Sequence, residues 1–153
     1  ADFAKGHLGS NLERIVRTAE RPIFVASRAF TPIQSVLVAY DGSRLAMKAV
    51  DQIARSAHFE GFAVTLATVG AETTPTTKGL EAAKALLTAA GIMAETRIVP
   101  GRPDEVLGGL VESEGFDLLV MGAYGHSRIR SLVIGSTTTE MVRSCKVPVL
   151  LVH

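Results

Sequence analysis

The sequence predicts an α/β domain built on an open, parallel, five-stranded sheet with helices on both faces. Three observations lead there. From residue 35 onward, short apolar runs alternate with stretches of helical periodicity, the pattern of parallel strands joined by helical crossovers. The run Leu118-Leu119-Val120-Met121 leads into Gly122, Gly125, Gly135 and Ser136, in the order G-x2-G-x9-G-S, ahead of a helical pattern. An earlier run, Val36-Leu37-Val38-Ala39-Tyr40, ends on Asp41-Gly42-Ser43. Both features fall at carboxyl ends of strands, where open α/β sheets hold ligands.

Strands are expected over Ser35 to Tyr40, Ala63 to Val69, Ala94 to Val99, Asp117 to Met121 and Val149 to Val152. The central ones are continuous apolar runs, suited to strands buried on both faces. Between them, Ala46, Val50, Ile53 and Ala57 make one helical face, and Leu80, Ala83, Leu87 and Ala90 a second. Val106, Leu107, Leu110 and Val111 make a third, opened by Pro103-Asp104. Gly108 and Gly109 weaken that helix by about 1 kcal/mol each relative to alanine. Thr73-Thr74-Pro75-Thr76-Thr77 has no periodicity and is expected to be a surface loop.

The opening residues repeat the closing ones. Gly9-Ser10 aligns with Gly135-Ser136, Val16-Arg17 with Val142-Arg143 and Pro22 with Pro148, at a constant offset of 126 residues. Leu12, Ile15, Val16 and Ala19 share one helical face, as do Thr138, Met141, Val142 and Cys145. Each copy then runs through proline into a short strand, Ile23-Phe24-Val25-Ala26 or Val149-Leu150-Leu151-Val152. One helix and one strand cannot bury their own apolar faces. Residues 1–30 therefore read as the last helix and strand of a preceding domain, and residues 31–153 as a complete one. Residues 22 to 26 are expected to add a strand beside residues 148 to 152, within the chain or by exchange between two chains.

Composition sets the outer bounds. A chain of 153 residues, 47% hydrophobic and of net charge +1, suits one domain with a sizeable core. Its charges are balanced and spread out, with no basic stripe to track a nucleic acid. One cysteine cannot form an internal disulfide framework, and no apolar run approaches the roughly 18 residues of a membrane span. The opening residues carry no secretion signal, so a cytoplasmic location is expected.

Glycine lets backbone N–H groups approach an anion with no Cβ in the way, and a helix start adds unpaired donors and a positive dipole end. The glycine order thus reads as a phosphate cradle. There is no G-x-x-x-x-G-K-[ST], hence no P-loop lysine, and no G-x-G-x-x-G follows the first strand of the main domain. With these residues the sequence resembles the universal stress protein family from about Thr31 to His153. The resemblance implies a Rossmann-like domain whose fourth strand feeds a glycine loop holding the phosphates of ATP, with an Asp from the first strand beside the nucleoside. It implies a site for ATP, ADP or AMP, with Mg as a candidate companion of the phosphates. Ala39, Tyr40, Asp41 and Val69 would lie by the nucleoside. Met121, Gly122, Gly125, His126 and Ser127 would form the strand end and loop, and Gly135, Ser136, Thr137 and Thr138 the helix start. In this family terminal strands pair antiparallel across a two-fold axis, which implies a homo-oligomer or pairing with a preceding domain. The chain then reads as the C-terminal part of a tandem stress protein.

Each residue also has a plainer role. Gly135-Ser136 can be a turn and helix cap, and Asp41 can cap the helix that follows it. The two copies separate these roles. In the first, Ser10-Asn11-Leu12-Glu13 is a capping box, and Glu13 puts negative charge where a phosphate would sit; its counterpart Thr139 is neutral. Two residues part Gly6 from Gly9, against nine between Gly125 and Gly135. An open anion site is therefore expected in the second copy and a structural turn in the first. Ser127, Arg128 and Arg130 are secondary candidates for steadying phosphates. His126 departs from the Arg or Lys frequent there in the family, and a neutral imidazole offsets less phosphate charge at pH 7. Cys145, matched by Ala19, reads as core packing.

Three functions remain open. The favoured one is a nucleotide-binding stress protein in which ATP controls conformation or partners. A slow ATPase or nucleotidyl transferase is the second, although no catalytic set, Walker lysine or metal-ligand cluster can be assembled from the sequence. A dimerisation scaffold that binds no nucleotide is the third.

Overall fold

A computed structural model of the chain describes residues 14–16, 18–27, 31–123 and 136–153. Its strands are β1 (Ile23–Val25), β2 (Ser35–Ala39), β3 (Ala63–Val69), β4 (Met93–Val99), β5 (Leu118–Gly122) and β6 (Val149–Val152). Its helices are α1 (Arg44–Arg55), α2 (Thr74–Ala89), α3 (Pro103–Glu114) and α4 (Ser136–Ser144), with a 3-10 turn over Ala57–Phe59. The strands form one sheet in the order β1-β6-β5-β2-β3-β4. β2 through β6 are mutually parallel where they pair, and β1 runs antiparallel to β6.

The strand count is therefore six, not the expected five. The extra strand is the opening segment, which covers the β6 edge within the chain. Ile23 faces Leu151, Phe24 faces Leu150 and Val25 faces Val149. Under the repeat alignment Phe24 is the counterpart of Leu150, so the pairing is centred on a residue and its own equivalent. Val16, in the helical turn before β1, is fully buried, whereas its neighbour Ile15 is about half exposed. Leu12 and the Ser10-to-Glu13 capping box lie outside the described residues.

Side chains alternate along the strands and split the core in two. Val36, Val38, Val64, Leu66, Leu118 and Val120 join Ala46, Val50 and Ile53 of α1 and Leu80, Ala83 and Leu87 of α2 on one face. Leu37, Leu119, Met121, Val149 and Leu151 join Leu107 and Val111 of α3 and Met141 of α4 on the other. Two expected face residues fall outside their helices: Ala57 lies in the 3-10 turn and Ala90 is the C-cap of α2, both exposed.

The segment Thr73–Thr77 is not a loop. Thr73 caps α2 by accepting a hydrogen bond from the Thr76 N–H at 3.2 Å, and Pro75 sits in the first turn, where its missing N–H costs nothing. α3 continues through Gly108 and Gly109 and ends at Gly115, whose φ of 69° is left-handed. At the β4 edge, Arg97 pairs with Glu114 of α3 and lies 3.9 Å from Glu95. Asp117, just before β5, accepts hydrogen bonds from the N–H groups of Gln34 and Ser35 at 3.0 and 3.1 Å, tying the starts of β2 and β5 together.

Candidate functional site

Parallel strands bring the carboxyl ends of β2 through β6 to one edge of the sheet. The chain leaves β2 for α1 on one face and reaches α4 after β5 on the other. Because β2 and β5 are neighbours, their ends flank the crevice where connections switch faces, the usual ligand position in such sheets.

The structure brings Ala39, Tyr40 and Asp41 at the end of β2 together with Met121 and Gly122 at the end of β5 and the first turn of α4. Asp41 is exposed, and its Oδ1 accepts a hydrogen bond from the Ser43 N–H at 2.9 Å. Ser43 in turn caps α1 by accepting from the Ala46 N–H at 3.1 Å. Ala39 and Val69 are half-buried on the α3 and α4 face, and Met121 is buried there. The Tyr40 side chain points to the opposite face, into the α1 and α2 core. A Cβ added to Gly79 of α2 would reach the Tyr40 ring at 3.7 Å, so α2 passes close over that ring. Burial raises the Tyr40 phenol above its ordinary range, with the Asp41 charge adding to the shift. The Tyr40 side chain therefore belongs to the α1 and α2 core.

Gly125, His126, Ser127 and Gly135, and the secondary candidates Arg128 and Arg130, lie outside the described residues. So do the side chains of Ser136 and Thr137, although both residues belong to α4. Thr138 is buried, and its hydroxyl donates to the Gly122 carbonyl at 2.7 Å. The helix starts at this edge are mostly free of acid: α1, α2 and α4 have none in the first turn. Their dipoles therefore favour an anion there. α3 carries Asp104 and Glu105, both within 4 Å of Arg102.

Sequence reasoning missed two sets of residues. Thr68 Oγ1 donates to the Tyr40 carbonyl at 2.7 Å, fixing the backbone just before Asp41. Its signal was a hydroxyl inside an apolar strand. Beyond β6, the His153 carbonyl accepts from Lys48 Nζ of α1 at 2.7 Å, and His153 Nε2 lies 2.8 Å from the Arg21 carbonyl. These contacts tie α1, β6 and the approach to β1 together; nothing local marked them.

Cys145 packs half-buried against the α3 and α4 core, and burial pushes its thiol up, away from the thiolate. Among the described residues no group of three or more His, Cys, Asp or Glu could hold a metal ion, and no helix is long and apolar enough to cross a membrane.

Comparison with known proteins adds four findings. The model of the Universal stress protein family matches residues 72–153. Universal stress protein Slr1230 of Synechocystis sp. is 40% identical over 152 residues, 98% of this chain and 53% of that protein, so the chain spans about half of that relative. The crystal structure of a universal stress protein in complex with cAMP is 33% identical with a TM-score of 0.66, covering 80% of this chain and 98% of the other. A universal stress protein from Archaeoglobus fulgidus shares the fold with a TM-score of 0.76 at 24% identity, over 94% of this chain and 54% of its own.

Proposed function

The chain belongs to the universal stress protein family, and from that premise we propose that it binds an adenine nucleotide, ATP or its mono- or diphosphate, in the crevice between β2 and β5. One observation carries this: Asp41 follows β2, while Gly122 and the acid-free first turn of α4 meet at the end of adjacent β5. The carboxylate would accept hydrogen bonds from sugar hydroxyls. Glycine N–H groups and the α4 dipole would receive phosphates, and Mg would reach the site on those phosphates, keeping several of its waters. The cAMP complex of a relative at 33% identity supports an adenine nucleotide as ligand class.

The nucleotide would act as a regulatory ligand. A cradle of backbone donors holds ground state and transition state about equally, which tightens binding without raising turnover. A cytoplasmic location belongs to the same proposal, since that is where an ATP level can be sensed. Mass spectrometry of ligand released from purified protein, and calorimetry with ATP, ADP and AMP plus magnesium, test it. A co-purified adenine nucleotide is expected. No heat with any of the three at millimolar concentration would overturn nucleotide binding, and turnover above about one per second would replace the regulatory role with an enzymatic one.

A scaffold role is favoured by a separate observation, the centred pairing of β1 on β6. Residues 1–30 would be the end of a preceding stress protein unit, and residues 31–153 the complete one, so that β1 and β6 form the seam of a tandem pair. Such pairing is compatible with nucleotide binding and becomes the main function only if binding fails.

A further inference from the structure

The peptide directions at the ends of β2 and β5 give the crevice between them a polarity. A trans peptide points its C=O and N–H in opposite directions. The Tyr40 N–H donates to the Ala67 carbonyl of β3 at 2.9 Å, and the Tyr40 carbonyl is drawn to the same strand by the Thr68 hydroxyl at 2.7 Å. The Asp41 N–H, on the same peptide as that carbonyl, therefore points away from β3, toward β5. On the other wall, the Ala123 N–H donates to the Val152 carbonyl of β6 at 2.7 Å. The Gly122 carbonyl thus points away from β6, toward β2, where it would present an acceptor to whatever occupies the crevice. Thr138 Oγ1 meets it at 2.7 Å from a side chain only 2% exposed.

Of the two threonine-held carbonyls, only that of Gly122 faces the crevice; the Tyr40 carbonyl, held by Thr68, faces β3. An unengaged carbonyl carries partial negative charge, and beside a phosphate in a low-dielectric crevice it repels. We propose that Thr138 is a positioning residue for an anionic ligand: by holding the Gly122 carbonyl, it takes up the acceptor that would otherwise face a phosphate in the crevice between β2 and β5. The inference rests on nucleotide binding at that crevice, and it gives the Thr138 hydroxyl a different task from direct ligand contact.

The two roles separate when a charged and an uncharged ligand are compared. Thr138→Val keeps the shape and removes the hydroxyl, and Thr138→Ser keeps the hydroxyl. Titration of the full chain with AMP and with adenosine should show Thr138→Val losing at least fivefold in AMP affinity and less than twofold in adenosine affinity. Thr138→Ser should return AMP to within twofold of wild type. Unchanged AMP affinity in Thr138→Val would overturn the inference. So would equal loss of AMP and adenosine accompanied by a lower Tm, the signature of a merely structural hydroxyl. A wild-type chain that binds neither ligand would overturn the nucleotide proposal itself, and this inference with it.

Discussion

Deleting residues 1–30 removes β1 and the turn carrying Val16, and leaves β6 as an open edge. The loss is calculable in outline. Ile23 and Val25 are half-buried against the α3 and α4 core and Val16 is fully buried; half burial of the first two and full burial of the third contribute about 4 kcal/mol together. The ladder opposite Val149, Leu150 and Leu151 adds about 1 kcal/mol for each hydrogen bond it contains. A domain of this size has roughly 5–15 kcal/mol in all, so the shortened chain should be strongly destabilised as a monomer. The register supplies the remedy. Because Phe24 stands opposite its own repeat equivalent Leu150, two β6 strands can pair antiparallel with Leu150 opposite Leu150, a self-complementary two-fold contact. Sedimentation equilibrium should find a dimer, with a Tm that rises with protein concentration, and Leu151→Pro should abolish the pairing by removing an edge donor. A shortened chain that stays monomeric at 100-fold increasing concentrations, with its Tm unchanged, would refute the centred register as a pairing code.

Three further outcomes follow from single sites. Asp41→Ala should weaken AMP binding about tenfold, the value of one charge-assisted hydrogen bond of about 1.5 kcal/mol; calorimetry giving wild-type affinity would remove the carboxylate from the site. Gly108→Ala should raise Tm by about 2–4 °C, because a Cβ there meets nothing within 4 Å and alanine gains about 1 kcal/mol in a helix of a domain this size; a fall in Tm would mean that another segment packs on that glycine. The raised Tyr40 phenol has a defined sign: folding favours its neutral form, so the stability it contributes is present below its ordinary value of 10.0 and lost as pH rises through the raised one. Urea midpoints measured upward from pH 10 should therefore fall less steeply in Tyr40→Phe than in wild type, and parallel slopes would assign the alkaline loss elsewhere.

What could be read from the sequence was what depends on local pattern. The bounds of β3 and β6 follow from runs of apolar residues with turn chemistry at both ends, and the structure reproduces them. The ends of β2 and β5 shift by a residue. The Thr73 cap was missed because periodicity begins only after the first turn, where Thr-x-Pro is itself the start signal. The sixth strand was foreseen as a neighbour of β6 but counted outside the sheet, because strand number depends on which edge a segment covers. Of the candidate site, Asp41 and Gly122 were legible as punctuation at strand ends. The hydroxyls of Thr68 in β3 and Thr138 in α4 meet their carbonyl partners, 28 and 16 residues away in the chain, at 2.7 Å only once the sheet and its helices have assembled.

The two margins of the sheet are unlike. At β4, Glu95 and Arg97 with Glu114 set charges along the border, which discourages another strand from joining there. At the other margin the apolar β6 is covered within the chain by β1, which is only three residues long. With one margin charged and the other ending on a three-residue strand, the sheet offers an incoming strand little edge to extend, which disfavours propagation into a fibre.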